Sequence, residues 1–130
     1  MTRRAISAAL LMMTMLGIGL VNAQPASAAV SQNRCHRNVC MTISRNSRSG
    51  RTVYWATPHL PGGQEGMVVR IMYVGYSASG RLKGPQRDVT QRCLPCAYKF
   101  TINYTYAPGD WIYGTVMING INQGTPVWSF

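Results

Sequence analysis

The chain has 130 residues, with thirteen Lys and Arg against three Asp and Glu, a formal charge of +10. Hydrophobic residues make up 46% of it, too many for a disordered polyelectrolyte. Two histidines and three carboxylates leave little material for acid–base or metal chemistry.

Residues 1–29 read as a secretory signal peptide. Arg3 and Arg4 form a positive start, the apolar run LLMMTMLGIGLV follows, and small residues end it. The apolar run is too short to span a bilayer, which would take about 20 residues, so no transmembrane anchor is expected. Cleavage after Ala23 or Ala29 fits the small-residue rule, and Ala29 leaves residues 30–130 as a single domain. A chain of this size buries only about 60–65% of its unfolded surface. Cys35, Cys40, Cys93 and Cys96 all lie in this domain and, after export, read as two disulfides worth about 2–4 kcal/mol each. The domain keeps eleven cations against Glu65, Asp88 and Asp110, so its charge is 11 − 3 = +8, and all the cations but Lys83 and Lys99 are arginine.

Residues 30–38 are polar and read as irregular chain pinned by Cys35. Residues 39–45 alternate Val39, Met41 and Ile43 with polar neighbours, the period of a half-buried strand. Residues 46–50 form a turn, and residues 51–57 (RTVYWAT) are rich in strand formers. Two prolines and three glycines make residues 58–66 a surface loop. Residues 67–76 (MVVRIMYVGY) are apolar on both faces except for Arg70, which implies a central strand or one whose second face serves an interface. A turn over residues 77–80 precedes a brief return at residues 81–84. Residues 85–94 read as loop with at most a short strand over residues 88–92.

Residues 98–118 give the strongest local pattern. Phe100, Ile102, Tyr104 and Tyr106 alternate with polar residues, Pro108-Gly109 supplies a turn, and alternation resumes from Trp111. This stretch is predicted to be a β-hairpin. Asn119-Gly120 marks a type I′ turn, and Pro126 makes a last strand over residues 125–130 an edge strand. No stretch shows helical spacing. The expected fold is all-β: a small antiparallel β-sandwich or partly open barrel of six to seven strands, stabilised by two disulfides.

Cys93-Leu94-Pro95-Cys96 has the spacing of a thiol–disulfide redox site, but a strand rather than a helix follows it, so a structural disulfide is the better reading. Local, nested and crossed pairings all remain open. The greater entropy of long loops favours a bridge between the two cysteine regions. A zinc site from His36 and the cysteines is disfavoured because exported thiols oxidise. No metal ligand set or cofactor motif stands out.

Five arginines, Arg34, Arg37, Arg45, Arg48 and Arg51, fall in 18 residues without an acid and suggest a basic edge. With Trp55 and with His59 and Leu60 of the 57–66 loop they are the candidate binding residues. Tyr54, Tyr73, Tyr76, Trp111, Tyr113 and Trp128 add more aromatic surface than so small a core absorbs, and exposed aromatics serve interfaces and stacking platforms. The sequence therefore reads as a secreted, non-enzymatic binding protein, such as a hydrolase inhibitor or antimicrobial factor acting on an extracellular macromolecule. In the inhibitor reading Leu60 fills the partner's pocket. One alternative is a cationic protein that binds the cell envelope or another polyanion. Another is a small secreted hydrolase such as a nuclease, built on His59, Glu65 and Arg70. The expected partner is an extracellular protein or an anionic envelope polymer, ahead of nucleic acid.

Overall fold

Strand alternation places Val39, Met41, Ile43, Val53 and Ala56 on one side of their strands and Ile71, Tyr73, Ile112 and Val116 on one side of theirs, all with no exposed surface. Two sheets facing each other account for both sets. The computed structural model describes residues 28–130, so residues 1–27 of the expected leader lie outside the described residues. Nine strands follow in order: β1 (Val30–His36), β2 (Val39–Arg45), β3 (Thr52–His59), β4 (Val68–Tyr76), β5 (Arg87–Arg92), β6 (Phe100–Thr105), β7 (Trp111–Ile118), β8 (Ile121–Asn122) and β9 (Val127–Ser129). Sheet A has the order β1-β2-β3-β6; sheet B has β5-β4-β7, with β8 and β9 both pairing with the far edge of β7. Every pairing is antiparallel. The result is a small β-sandwich, and no helix long and apolar enough to cross a membrane occurs among the described residues.

The sheets come close at Gly114 of β7, where a Cβ would lie 2.5 Å from Met41 Sδ and 3.0 Å from Pro58 Cγ. Further along, the Tyr73 and Tyr106 hydroxyls share a 2.6 Å hydrogen bond across the core. Burial pushes the Tyr73 phenol far above its ordinary value and Tyr106 to about 12. Both are neutral at physiological pH, so each partner satisfies the other without a buried charge.

The 98–118 stretch is not a hairpin. β6 pairs with β3 in sheet A, and β7 pairs with β4 in sheet B, so the intervening turn carries the chain from one sheet to the other. The turn itself forms as its residues dictate: Asp110 N donates to Ala107 O at 3.1 Å, and Gly109 sits at φ 89°. This is type II geometry, and type II turns splay their flanking strands where the primed turns of tight hairpins hold them together. Asn119 and Gly120, both at positive φ, do form the expected tight turn between β7 and β8.

Two other expectations give way. Residues 30–36 are an edge strand, polar along its length, held by a full antiparallel register against β2. The disulfides are both local, Cys35–Cys40 and Cys93–Cys96, and do not link the two regions. Cys35 and Cys40 face each other in the β1–β2 register, so the pairing of the strands already brings them together. The second bridge closes the segment in which the chain passes from β5 back to sheet A. That passage meets the β3–β4 crossover, since Cys96 O accepts from Leu60 N, Cys93 O from Gly66 N, and Met67 O from Cys93 N. Such short loops stabilise by only about 2 kcal/mol each in the chain-entropy account.

Asp110, at the sheet-to-sheet turn, is 2% exposed. Its Oδ2 accepts from Ala107 N at 2.7 Å and pairs with Lys83 Nζ at 2.6 Å. Hydrogen bonding to Lys83, with help from the Ala107 amide, holds the carboxyl below its ordinary value. A depressed carboxylate contributes stability above its unfolded pKa of about 4, and that stability is lost as pH falls through the lower folded value. The melting temperature is therefore expected to drop below about pH 4. Asp110→Asn should start lower at pH 7 and fall less on acidification; parallel profiles for the two proteins would show that the pair contributes nothing.

Candidate functional site

The two outer faces of the sandwich differ in chemistry. On sheet A the side chains that point away from the core include Ser31, Asn33, Thr42, Ser44, Thr57, Thr101 and Thr105, a polar surface of the kind a solvated sheet carries. On sheet B the outward row of β4 is Tyr76, Val74, Met72 and Arg70, and the row opposite it on β7 is Trp111, Tyr113, Thr115 and Met117. Val127 of β9 extends the row beside Tyr113. Val74 is 8% exposed and Thr115, 1% exposed, is capped through its bonds to Asn122 Oδ1 and Gly124 O, so the open part of this face is Tyr76, Trp111, Tyr113, Met72 and Val127.

Tyr76, Trp111 and Tyr113 form the centre of this face. Tyr76 and Trp111 are cross-strand partners with centroids 4.4 Å apart and planes within 22°. Tyr113 lies 6.1 Å from each, at 17° and 26°. All three rings are half-buried, so part of each reaches solvent. Burial, with the neighbouring Tyr76 hydroxyl, raises the Tyr113 phenol above its ordinary value and keeps it a neutral hydrogen-bonding group. Beside the rings lies a cleft of about 340 Å³ bordered by Met72, Val74, Leu82, Gln86, Arg87 and Asp88. Leu82 is 65% exposed there, held next to Tyr76 by an isolated bridge. Across the flank, Arg70 Nε donates to both oxygens of Asp88 at 3.0 Å, and its Nη2 pairs with Oδ2. This ion pair is exposed, holds the Asp88 carboxyl below its ordinary value, and neutralises the only acid on the face.

The residues singled out from the sequence lie elsewhere and do not converge. Arg37 is in the turn between β1 and β2, whereas Arg48 and Arg51 follow β2 at its other end, so the length of a seven-residue strand separates them. Arg45 is 5% exposed: its Nε donates to Gly50 O at 2.7 Å, its Nη1 to Gln32 Oε1 at 2.9 Å, and its guanidinium lies 5.3 Å over the Phe130 ring. Burial and the nearby Arg34 charge lower its pKa. Arg34 donates to Val127 O and stacks 5.0 Å over Trp128. Both side chains close the edge of the sandwich. The five arginines are thus no single basic patch, because the hairpin that carries them spreads them over two ends and turns Arg45 inward, while Arg34 stays exposed on the β1 edge.

Leu60 is a core residue, 8% exposed, its amide bonded to Cys96 O. It therefore does not project from the 57–66 loop, and the exposed part of that loop is residues 61–66, laid against the Cys93–Cys96 bridge. Gly63 sits so close that a Cβ there would meet Cys96 Sγ. His59 ends β3 half-buried, with Nδ1 3.3 Å from Thr57 O, and Trp55 lies on the outer side of sheet A under Lys99, 4.6 Å from its ring centre.

No acid–base constellation assembles among the described residues. His36 Nδ1 accepts from Thr125 N at 2.9 Å, which leaves the ring proton on Nε2. Asp88 is bound to Arg70 and Asp110 to Lys83, while Glu65 is on the exposed loop. Among the same residues no three His, Cys, Asp or Glu side chains cluster as a metal site would require.

Neither a protein family nor a curated relative matches the sequence. Among solved structures the fold is similar to part of an endonuclease/exonuclease/phosphatase from Beutenbergia cavernae DSM 12333. The match has a TM-score of 0.48 and 12% identity, and covers 80% of this chain and 28% of that one. A likeness at that level says nothing about activity.

The different settings of the arginines predict different costs of removal. Arg45→Ala should lower unfolding stability by about 2–3 kcal/mol, since a buried charged donor leaves Gly50 O and Gln32 unpartnered. Arg37→Ala and Arg48→Ala should stay within about 0.5 kcal/mol of the parent. Denaturant unfolding curves that coincide for all three would contradict these placements.

Proposed function

We propose that the protein is a secreted, non-enzymatic binding protein that engages an extracellular macromolecule through the outer face of sheet B. The observation that carries this reading is the apolar and aromatic group Tyr76, Trp111, Tyr113, Met72 and Val127, which stays partly exposed on the outer face of sheet B. Burial of such a row in the core would explain it, but the core lies on the opposite side of the same strands. Exposed contiguous apolar surface on a small domain serves recognition more often than it serves nothing.

The two disulfides point to an oxidising compartment. Together with the leader-like start of the chain they support export. The face stands on the central strands β4 and β7, paired over seven residues, so it is pre-formed and little ordering cost accompanies binding. The inhibitor version of the reading loses Leu60 as its pocket-filling residue, and the polyanion version loses a continuous arginine edge. The sheet B face takes their place as the recognition surface.

The test is retention of the oxidised protein on immobilised polysaccharides, heparin, nucleic acid and secreted hydrolases. At least one matrix should retain it, and Trp111→Ala with Tyr113→Ala should abolish that retention while Arg37→Ala with Arg48→Ala leaves it intact. Retention that survives the aromatic substitutions and disappears with the arginine ones would overturn the assignment of the face.

A further inference from the structure

We infer that the partner of the sheet B face is an acidic protein, which seats one apolar side chain in the cleft beside Tyr76 and Tyr113 and an adjacent carboxylate on the Arg87 guanidinium. The inference rests on the proposed use of that face and adds the chemistry of the partner.

The cleft is compact and its walls are apolar. At about 340 Å³ it lies at the small end of ligand sites, about 300–1,000 Å³, and Met72, Tyr76, Leu82 and Tyr113 line it. Leu82 is 65% exposed, joined to Tyr76 by a single backbone bridge, so its side chain is covered only when something apolar occupies the space beside it. Tyr76 and Trp111 already stack on each other at 4.4 Å, which leaves no gap between them for a base or a sugar ring. An apolar side chain needs no such gap.

The charge at the border is unbalanced. Of the three acids in the chain, Asp88 is held by Arg70 and Asp110 by Lys83, while Glu65 precedes β4 and the cleft lies along its second half. Arg87 borders the cleft and is exposed. Its Nε donates to Thr101 O at 3.4 Å and its Nη1 to Gln86 O at 3.3 Å; both acceptors are carbonyls, and no carboxylate pairs with it among the described residues. A guanidinium without an acid partner at the rim of an apolar cleft matches an apolar group that carries an anion next to it, and its planar fork fits a carboxylate. A second copy of this chain brings the same excess of positive charge and is repelled.

The surroundings select a protein. Trp111, Met72 and Val127 stay partly exposed around the cleft. Aromatic residues, Met and Arg are the types enriched where proteins meet, and a pocket for one anchor inside an apolar collar is the form of an interface hot spot. A polyanion calls for cations repeated along its path. Here Arg70, the next arginine on the face, is already paired.

The experiment is an amide NMR titration of the oxidised protein with acetylated, amidated peptides Gly-Asp-Trp-Asp-Gly and Gly-Asp-Leu-Asp-Gly, and with the same peptides carrying Asn for Asp. The Asp peptides should shift the amides of Leu82, Arg87 and Tyr113, and the Asn peptides should bind about 3-fold more weakly, as the loss of one exposed ion pair allows. Arg87→Gln should abolish that difference while leaving the weaker binding in place. Leu82→Glu, at an exposed position that folding tolerates, should weaken both sets. Equal binding of Asp and Asn peptides, or a preference that survives Arg87→Gln, overturns the carboxylate contact. Absence of shifts around the cleft with every peptide overturns the inference. Larger shifts of the same amides with heparin or oligothymidylate, steeply dependent on salt, overturn the protein class and leave the proposed face standing. The face itself fails where Trp111→Ala with Tyr113→Ala leaves retention on every matrix intact.

Discussion

The contact between the sheets on either side of the Ala107–Asp110 turn is the constraint on which the rest depends. Tyr106, the last residue before the turn, bonds through its hydroxyl to Tyr73 in the facing sheet. Asp110, the last residue of the turn, ties the turn amide to Lys83. The C-terminus is fastened to the same place, with Gly109 N donating to Phe130 O and Phe130 N to Asp110 O. One short segment thus sets the separation of the sheets, the entry of β7 and the position of β9. Since β7 starts at Trp111, it also sets where the aromatic row begins.

At the other end of the sandwich the two remaining crossovers brace each other. The backbone bonds between residues 60–67 and 93–96 turn two irregular segments into one, and the Cys93–Cys96 bridge sits inside that junction. A disulfide here does not staple distant regions. It preserves the local shape on which the crossover hydrogen bonds rely. Of the loop glycines Gly63 is explained by this closeness, and Gly66 by its positive φ of 83°.

Much of this was legible in the residues. Period-2 alternation located β2, β6 and β7 to within a residue or two, because a strand with one buried face must alternate whatever its partner, and a continuous apolar run located β4. Partner choice is a different matter: alternation in β6 and β7 is equally compatible with a hairpin and with a crossover, and only the type II character of Pro108-Gly109 distinguishes them. β1 was invisible because an edge strand with polar side chains on both faces carries no period. The arginines misled for a related reason, since proximity in sequence along a strand pair becomes distance between its two ends. The site was half legible. The doubly apolar composition of residues 67–76 admitted a central strand or an interface; the central position is what the fold shows, and the interface belongs to the proposed function. β4 is central in the plane of its sheet, and on its outer side Met72 and Tyr76 stay partly exposed while Val74 is buried. That Trp111 and Tyr113 join Tyr76 depended on long-range register, which no local pattern encodes.

The excess positive charge then takes a role separate from recognition. An exposed apolar strip on a small domain invites self-association, and a net charge far from zero opposes it by long-range repulsion between copies. The cations suited to that task are those at strand ends and edges, where they are solvated and do not compete with the strip for ligand. Arg37, Arg48, Arg51, Arg81 and Arg92 are exposed in this way. The same field draws the molecule towards anionic surfaces from beyond contact distance, within about 10 Å at moderate salt. In the proposed function, charge on the rim and rings on the face therefore act at different ranges, the first on encounter and solubility, the second on what the face holds.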